Sequence, residues 1–334
     1  MLRPSAQPIA TQLPRAGGLR NPIAALRRAY AANRALTLLG VLMLISLIAS
    51  IAGVLFDPRV IAGAPAWLKP LKFSISIAMY SFTLLWILSF VQGRRFWIGL
   101  VSYVSLLAFF IETVVIITQV LRGTTSHFNF STAFDGVMFN FMGSFVLVIW
   151  LMNLVAAILL LFQRLPDRAF AWSLRLGLLL TLVGAALGAL MTMPTAAQLA
   201  AAKAGQGLPI IGAHSVGVAD GGPGMPITGW STIGGDLRIG HFIGLHALQV
   251  LPIIGLLLAR GWPLRLSDRR RLALVLIAGL SYLGLMALVT WQALRGQPLL
   301  APDAATLAAA GAWLAGTLLA AGAAIGLGRA REAA

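Results

Sequence analysis

With 334 residues, of which 59% are hydrophobic and only 10% are charged, and a mean hydropathy of +0.89, the composition excludes a soluble domain and predicts a polytopic membrane protein. The formal net charge of +16 would indicate nucleic acid in a soluble protein, but most arginines flank apolar segments, where they act as topology signals, so nucleic-acid binding is not expected. The lack of cysteine excludes disulfides, thiolate metal sites, iron–sulfur clusters and thioether-attached haem.

The first 34 residues form a basic tail without an acidic residue. Six arginines lie in it: Arg3, Arg15, Arg20, Arg27, Arg28 and Arg34. We expect a disordered cytoplasmic tail that holds the first helix by its positive flank, with a transit peptide as the alternative. A cleaved signal peptide is not expected, because no short apolar core is followed by a small-residue cleavage site.

Eight apolar runs are long enough to cross a hydrocarbon core of about 30 Å, which takes about 20 helical residues. Sustained apolar runs without the alternation of barrel strands predict helices. The predicted fold class is therefore all-α, a polytopic transmembrane helical bundle of about eight spans over residues 35–328, followed by a short tail at 329–334. The runs are residues 35–56, 71–92, 96–121, 132–163, 170–194, 239–260, 270–292 and 304–328.

The basic residues predict the orientation of the chain. If the N-terminus is cytoplasmic, 18 of the 25 lysines and arginines fall on the cytoplasmic side. The positive-inside rule then predicts that both termini are cytoplasmic. We expect a multi-pass protein of the bacterial inner membrane, with the lipid bilayer as its first partner.

Two connections on the outer side are long. The first contains AWLKPLKF, in which Trp67, Lys69 and Lys72 are interpreted as interfacial anchors and Pro70 as part of a helix start. The second, at 195–238, begins with an alanine-rich piece that predicts a short helix and continues as turn-rich chain. Loops of this length usually act as lids or binding loops, so a partial lid is expected.

Glu112 is the only carboxylate deep inside an apolar run, LLAFFIETVVIITQVL. Nine residues separate it from the outer end of the third predicted span, which places it about 13 Å below the surface. A carboxylate in such a position is either neutral or meets a cation or metal, and we favour a functional role. Gln119 lies two turns further on the same face.

The third predicted span continues into RGTTSHFNFSTAFDG. His127 lies in this loop between Glu112 and Asp135, and a surface histidine without a role is equally compatible with the sequence. Asp135 either caps the fourth helix or belongs to a site. The candidate catalytic residues are Glu112, His127 and Asp135.

Several polar and ionisable side chains lie close together in the segment GWSTIGGDLRIGHFIGLHALQ, which leads into the sixth predicted span. His241 and His246 are about 140° apart around the helix axis at about 100° per residue, whereas His246 and Gln249 share a face. Arg238 pairs with Asp236 or with an anionic ligand. The candidate cofactor-binding residues are His241, His246, Gln249 and Arg238.

Four functions fit this constellation. The first is a redox protein with a b-type haem or a quinone. The second is a metal-dependent enzyme acting on a lipid-linked substrate, with a divalent ion held by residues from the set His127, His241, His246 and Glu112. The third is a proton-coupled transporter of a small molecule, and the fourth is an assembly partner. The first three predict that Glu112 and His246 approach each other across the third and sixth spans.

Three sequence blocks carry a resemblance. The strings WLKPLKF, RGTTSHFN and GWSTIGGDLRIGHFIGLHALQ resemble recurring blocks of an uncharacterised family of bacterial polytopic inner-membrane proteins. This resemblance implies a helical membrane protein and no particular activity. The helix number and the outer-side histidines are also similar to haem A synthase, but the regular placement of ligands on alternate helices is missing, so no ligand assignment follows.

Overall fold

The computed structural model of the protein describes residues 21–261 and 266–332, with side chains up to residue 326. Residues 1–20 and 333–334 of the predicted tails lie outside the described part of the chain. Almost all regular structure is helical, which confirms the predicted all-α fold class.

Among the described residues, eight helices are long and apolar enough to cross a membrane, which confirms the prediction of eight spans and defines a multi-pass membrane protein suited to a lipid bilayer. We call them spans 1 to 8 in chain order. Their helical bounds are Arg34–Phe56, Leu68–Leu88, Arg95–Leu121, Ala133–Leu161, Arg168–Leu187, Leu237–Ala259, Asp268–Leu294 and Ala304–Glu332.

The remaining elements are short. Helices Pro22–Ala32 and Ala196–Lys203 precede span 1 and follow span 5, and a 3-10 turn at Gly188–Thr192 ends span 5. Two small antiparallel sheets in the described part of the chain pair Val60–Ile61 with Ala64–Pro65, and Ser215–Val216 with Gly235–Asp236.

The helix Pro22–Ala32 lies in the segment that was expected to be disordered. Proline at its first position and the Asn21 side chain, which accepts a hydrogen bond from Ala24 N, favour a helix start there. Asn33 then ends this helix and caps span 1. Residues 22–32 therefore reach span 1 as a helix rather than as irregular chain.

Two span starts lie earlier in the chain than predicted, because the residues before each apolar run favour a helix start. Span 2 begins at Leu68 rather than at residue 71, since proline at position 70 is tolerated in a first helical turn. Span 6 begins at Leu237, because the Asp236 side chain accepts a hydrogen bond from Arg238 N and caps the helix.

Spans 5 and 6 cross with their backbones in close contact. A Cβ atom built on Gly184 would lie 2.4 Å from the Gly244 Cα atom, so only glycine permits this crossing. Gly311 in span 8 makes no comparable approach, since an added Cβ there meets nothing within 4 Å. Span 8 is attached differently, since Trp313 donates a hydrogen bond to the Ser281 carbonyl in span 7.

The glycine crossing generates a stability prediction. Gly184→Ala forces the two backbones apart, and we expect the free energy of unfolding to fall by about 1–3 kcal/mol, the usual range for overpacking. Thermal unfolding in detergent measures the change. Gly143→Ala in span 4 is the matched control, because a Cβ there meets nothing within 4 Å. Equal stability of the two variants would contradict the importance of the crossing.

Candidate functional site

Glu112 occupies the interior of the bundle on span 3. It is 2% exposed, and its Oε1 atom lies 3.9 Å from Nε2 of His127. Its Oε2 atom is buried and has no hydrogen-bond partner within the described chain. A buried carboxylate oxygen without a partner is rare and calls for a proton, water or ligand.

The loop after span 3 positions His127 above Glu112. Gly123 adopts φ +75° and turns the chain at the helix end. The Asn129 side chain donates hydrogen bonds to Thr124 Oγ1 and to the Thr125 carbonyl, which closes the loop on itself. The His127 Nδ1 atom lies 3.1 Å from Ser126 Oγ, so the opposite ring nitrogen, Nε2, is the one directed at Glu112.

Aromatic side chains surround the His127 ring. Phe73 and Phe128 meet it edge-on with ring centroids 5.8 and 6.1 Å away, and Phe139 lies at 6.2 Å. This burial lowers the pKa of His127 well below its ordinary value of 6.5, and the positive charge of Lys69 acts in the same direction. His127 is therefore neutral at neutral pH.

Lys69 supplies a positive charge in the first turn of span 2. Its charge lies close enough to Glu112 for the two to interact, yet it forms neither a hydrogen bond nor an ion pair in the part of the chain that the structure describes. Its neighbour Lys72 differs, because its Nζ atom donates to the Thr228 carbonyl at 3.0 Å. Lys69 was interpreted from the sequence as an interfacial anchor only.

The loop between spans 5 and 6 covers His127. Its backbone pairs with the His127 loop, since Phe130 N donates to the Pro209 carbonyl at 2.8 Å and Ile211 N donates to the Phe128 carbonyl at 2.9 Å. The loop begins with the short helix Ala196–Lys203, which was predicted from its alanine-rich sequence and starts with a capping box formed by Thr195 and Gln198. The chain at 209–213 thus forms a hydrogen-bonded cover beside the site.

His214 continues the cluster within this cover. Its Nδ1 atom lies 2.8 Å from Asp220 Oδ2, and its ring meets Phe128 at 4.9 Å. Burial lowers the pKa of His214 despite the opposing effect of Asp220. The pKa of the Asp220 carboxyl is also held below its ordinary range, against the effect of burial, by hydrogen bonds and by the charge of His214.

His241 brings span 6 to the same cluster. Its Nδ1 atom lies 2.8 Å from the Gly184 carbonyl oxygen, and an added Cβ on Gly188 would lie 3.0 Å from the ring. His214 and His241 lie close enough to His127 that a positive charge on either ring would lower the pKa of His127. Three of the four histidines therefore share one region at the loop end of the bundle, each with Nδ1 held by a neighbour.

His246 and Gln249 point elsewhere. His246 Nδ1 lies 3.4 Å from Gln249 Oε1, and the Gln249 amide donates to Thr83 Oγ1 of span 2 at 3.3 Å. Within residues 21–261 and 266–326, no hydrogen bond or ion pair joins His246 to Glu112. The polar contact that the structure gives Glu112 is with His127, so the predicted approach of Glu112 and His246 stays a prediction.

Asp135 belongs to a closed network at the start of span 4. Its carboxylate accepts hydrogen bonds from the side chains of Gln119 and Thr132 at 2.8 and 2.6 Å and forms an ion pair with Arg122. Its backbone N–H donates to Thr132, the N-cap residue. The network satisfies the carboxylate structurally, and Thr132 rather than Asp135 caps span 4.

Arg238 is likewise used within the fold. Its guanidinium pairs with Asp236, with an NH2 to Oδ2 distance of 2.6 Å, and also donates to the Gly229 carbonyl at 2.6 Å. Gly235 is required for packing, because an added Cβ would lie 1.9 Å from the Ala293 carbonyl oxygen of span 7. This segment fixes the end of the covering loop.

The residues fit neither of the two expected cofactors well. A haem axial ligand at His241 would need space for a porphyrin beside the ring, whereas the ring packs on Gly188 next to the close Gly184–Gly244 crossing. Orienting Nδ1 contacts are typical of metal-binding histidines. However, among the described residues no three His, Cys, Asp or Glu side chains are arranged so that they could hold a metal ion.

No protein-family model matches the sequence, and comparisons with curated proteins and with solved structures find no match. The resemblance of the three sequence blocks therefore stays a prediction. The fold and the site define the class of protein as a multi-pass helical membrane protein with a covered, buried Glu112–His127 pair.

The lowered histidine pKa values predict that the covering loops loosen in acid. The unfolded loops bind protons near pH 6.5, but the buried imidazoles of His127 and His214 do not. Their contribution to stability is therefore fully present above pH 6.5 and is lost as the pH falls toward the lowered values. Amide hydrogen exchange at 122–132 and 195–236, corrected for intrinsic rates, should be faster about one unit below pH 6.5 than one unit above it.

The control for this experiment is the double variant His127→Gln/His214→Gln. It lacks both imidazoles, so the pH difference in exchange should shrink strongly. Asp220 does not contribute in this window, because its carboxyl titrates below its ordinary pKa of 3.8. An unchanged pH difference in the double variant would contradict the role of the two histidines.

Proposed function

We propose that this chain is a proton-coupled transporter of a small anionic solute, in a bacterial inner membrane with both termini cytoplasmic. The observation that carries the proposal is the buried Glu112 carboxyl, whose Oε2 atom has no partner in the described chain while Oε1 faces His127 Nε2 at 3.9 Å. Ionisable groups at membrane depth typically mark proton relays and substrate paths.

Glu112 and His127 together form a proton-exchange pair. A neutral imidazole can accept a proton from a carboxyl group or return one, and small movements of the loop would bring the 3.9 Å separation to hydrogen-bond distance. His127 lies between Glu112 and the covering loop. It is therefore placed to pass protons between the carboxyl and the loop end of the bundle.

Lys69 gives the pair a means of coupling to a solute. When Glu112 is ionised, its carboxylate attracts the Lys69 ammonium group. Protonation of Glu112 removes this attraction, so the Lys69 ammonium group becomes available to an anionic group of a solute. Proton binding and anion binding then favour each other reciprocally, which is the requirement for symport.

A quinone-binding redox protein is the second candidate. The specific observation in its favour is the aromatic surround of His127, where Phe73, Phe128 and Phe139 lie within about 6 Å of the imidazole. A flat aromatic ligand would stack on such rings, with its oxygens toward His127 and Lys69. Photolabelling by an azidoquinone that is suppressed by ubiquinone would favour this candidate over transport.

Replacing the Glu112 carboxyl group by an amide tests the transport proposal. In vesicles containing the purified protein and a trapped pH indicator, we expect inward gradients of acetate, lactate, succinate or phosphate to drive proton uptake for at least one solute. Glu112→Gln should abolish this uptake, because an amide neither binds nor releases the proton. Wild-type uptake in Glu112→Gln, or no uptake with any of the four solutes, would contradict the proposal.

The control for that measurement is Asp268→Asn. Asp268 is also a carboxylate of a span, but its side chain is 90% exposed at the start of span 7. We expect it to transport at the wild-type rate. Loss of uptake in this variant would mean that Glu112→Gln acts through general damage.

Lys69 provides a separate prediction about the solute. Lys69→Gln removes the cation that we assign to the anionic group, so the concentration giving half-maximal uptake should rise about tenfold, equivalent to about 1.4 kcal/mol. Lys69→Arg keeps the charge and should retain most of the affinity. The matched control is Lys203→Gln on the exposed short helix. An unchanged half-maximal concentration in Lys69→Gln would exclude Lys69 from solute binding.

A further inference from the structure

The face of span 3 that carries Glu112 remains polar toward the opposite end of the bundle. Ser105 and Ser102 precede Glu112 by seven and ten residues, which places them on the same helix face about 10 and 15 Å further from the loops. They are 0% and 1% exposed. Packing against apolar neighbours does not require buried hydroxyl groups, so their presence along one face of a spanning helix calls for another explanation.

Ser105 shares an unusual property with Glu112. Its Oγ atom is buried and makes no hydrogen bond in the described chain, as is the case for Glu112 Oε2. Serine in a helix commonly donates to a carbonyl of the preceding turn, as Ser102 does to Ile98 at 2.7 Å. Unsatisfied buried polar atoms are typical partners of ordered water. Because about 10 Å of helix separates these two residues, more than one water is needed to join them.

Spans 2 and 4 add polar groups at the level of Ser105. The Tyr80 hydroxyl of span 2 donates to Asn153 Oδ1 of span 4 at 3.2 Å. Tyr80 also lies close enough to Ser105 for the two hydroxyls to interact, although their geometry falls short of a normal hydrogen bond. Asn153 is 6% exposed. Three spans therefore converge with hydroxyl and amide groups around one buried point.

The polar residues continue to the end of the bundle opposite the covering loops. Ser102 Oγ accepts a hydrogen bond from Asn33 Nδ2 at 2.7 Å. Asn33 is half-buried and lies where the first helix meets span 1. The residues from Glu112 to Asn33 thus extend from the interior of the bundle to one membrane surface.

We propose that Ser105, Tyr80, Asn153, Ser102 and Asn33 form a water-assisted proton path between Glu112 and the membrane surface at which Asn33 lies. We call these five residues the polar path. A proton released by the Glu112 carboxyl is taken up by water, and each later step between water and a hydroxyl breaks one O–H bond as the next one forms. Asn153 and Asn33 carry no O–H group and position the Tyr80 and Ser102 hydroxyls by hydrogen bonds. No electron donor or acceptor is involved, and the proton ends on bulk water.

The polar path rests on the proposed function, because it supplies the second exit that a proton-coupled transporter needs. His127 connects Glu112 with the loop end, and the polar path connects Glu112 with the opposite end. Groups facing Glu112 from other elements are His127 from the loop and Lys69 from span 2. Neither of them lies on the side toward Ser105, about 10 Å away along the helix.

Two measurements on Ser105→Ala and Asn153→Leu test the polar path. The first is binding of acetate, lactate, succinate and phosphate to the full chain in detergent by calorimetry. The second is the rate of solute-driven proton uptake in vesicles. We expect binding to stay at the wild-type level while uptake falls about tenfold to a hundredfold, since relay groups typically contribute factors of this order or larger. Ser105→Thr restores the hydroxyl and should restore the rate.

The matched control is Ser144→Ala, which removes an exposed serine hydroxyl from span 4. It should transport like the wild type, and equal thermal stability of all variants shows that they fold. If the variants bind the solutes and take up protons at the wild-type rate, the polar path is overturned. If the wild type binds none of the four solutes, the proposed function fails instead.

Discussion

A carboxyl group inside an apolar helix bundle needs a compensating partner, and the rest of the site follows from how Glu112 meets this constraint. Burial of an unpaired carboxylate costs several kcal/mol. One oxygen faces a neutral imidazole at 3.9 Å, a lysine charge lies nearby, and the other oxygen has no partner in the described chain. This incomplete compensation is the physical basis of the proposed proton exchange.

Close helix packing places the histidines around this carboxyl. The Gly184–Gly244 crossing brings span 6 against span 5, so that His241 reaches the Gly184 carbonyl at the loop end. Hydrogen bonds between the backbone at 128–130 and at 209–211 then hold the covering loop over His127. Ion pairs such as Arg238–Asp236 fix the end of the loop without contributing to the exchange.

The sequence predicted much of the fold and part of the site. Long apolar runs report spans directly, because lipid allows few alternatives to helices, and a lone glutamate in such a run identifies Glu112. The side chains that contact Glu112 were harder to predict, because they depend on how the helices pack. His246 was paired with Glu112, whereas the structure brings His127 to it. Lys69 resembled an interfacial anchor, since nothing local reveals which helix it meets.

Buried hydroxyls explain why the polar path was not visible in the sequence. Ser102 and Ser105 are common residues in spanning helices, and their meaning depends on burial and on missing hydrogen bonds. Asn153 and Tyr80 lie on other spans and are joined only in the folded bundle. The one sign of the polar path in the sequence is that Ser105 precedes Glu112 by seven residues, which places the two side chains on the same helix face.

The most direct test of the account is the protonation of Glu112 itself, measured by pH-difference infrared spectroscopy on the protein in lipid. A carboxylic C=O band that changes with pH in the wild type and is missing in Glu112→Gln is the result that the account predicts. A wild-type protein without such a band, or a band that persists unchanged in Glu112→Gln, would contradict proton exchange at this residue.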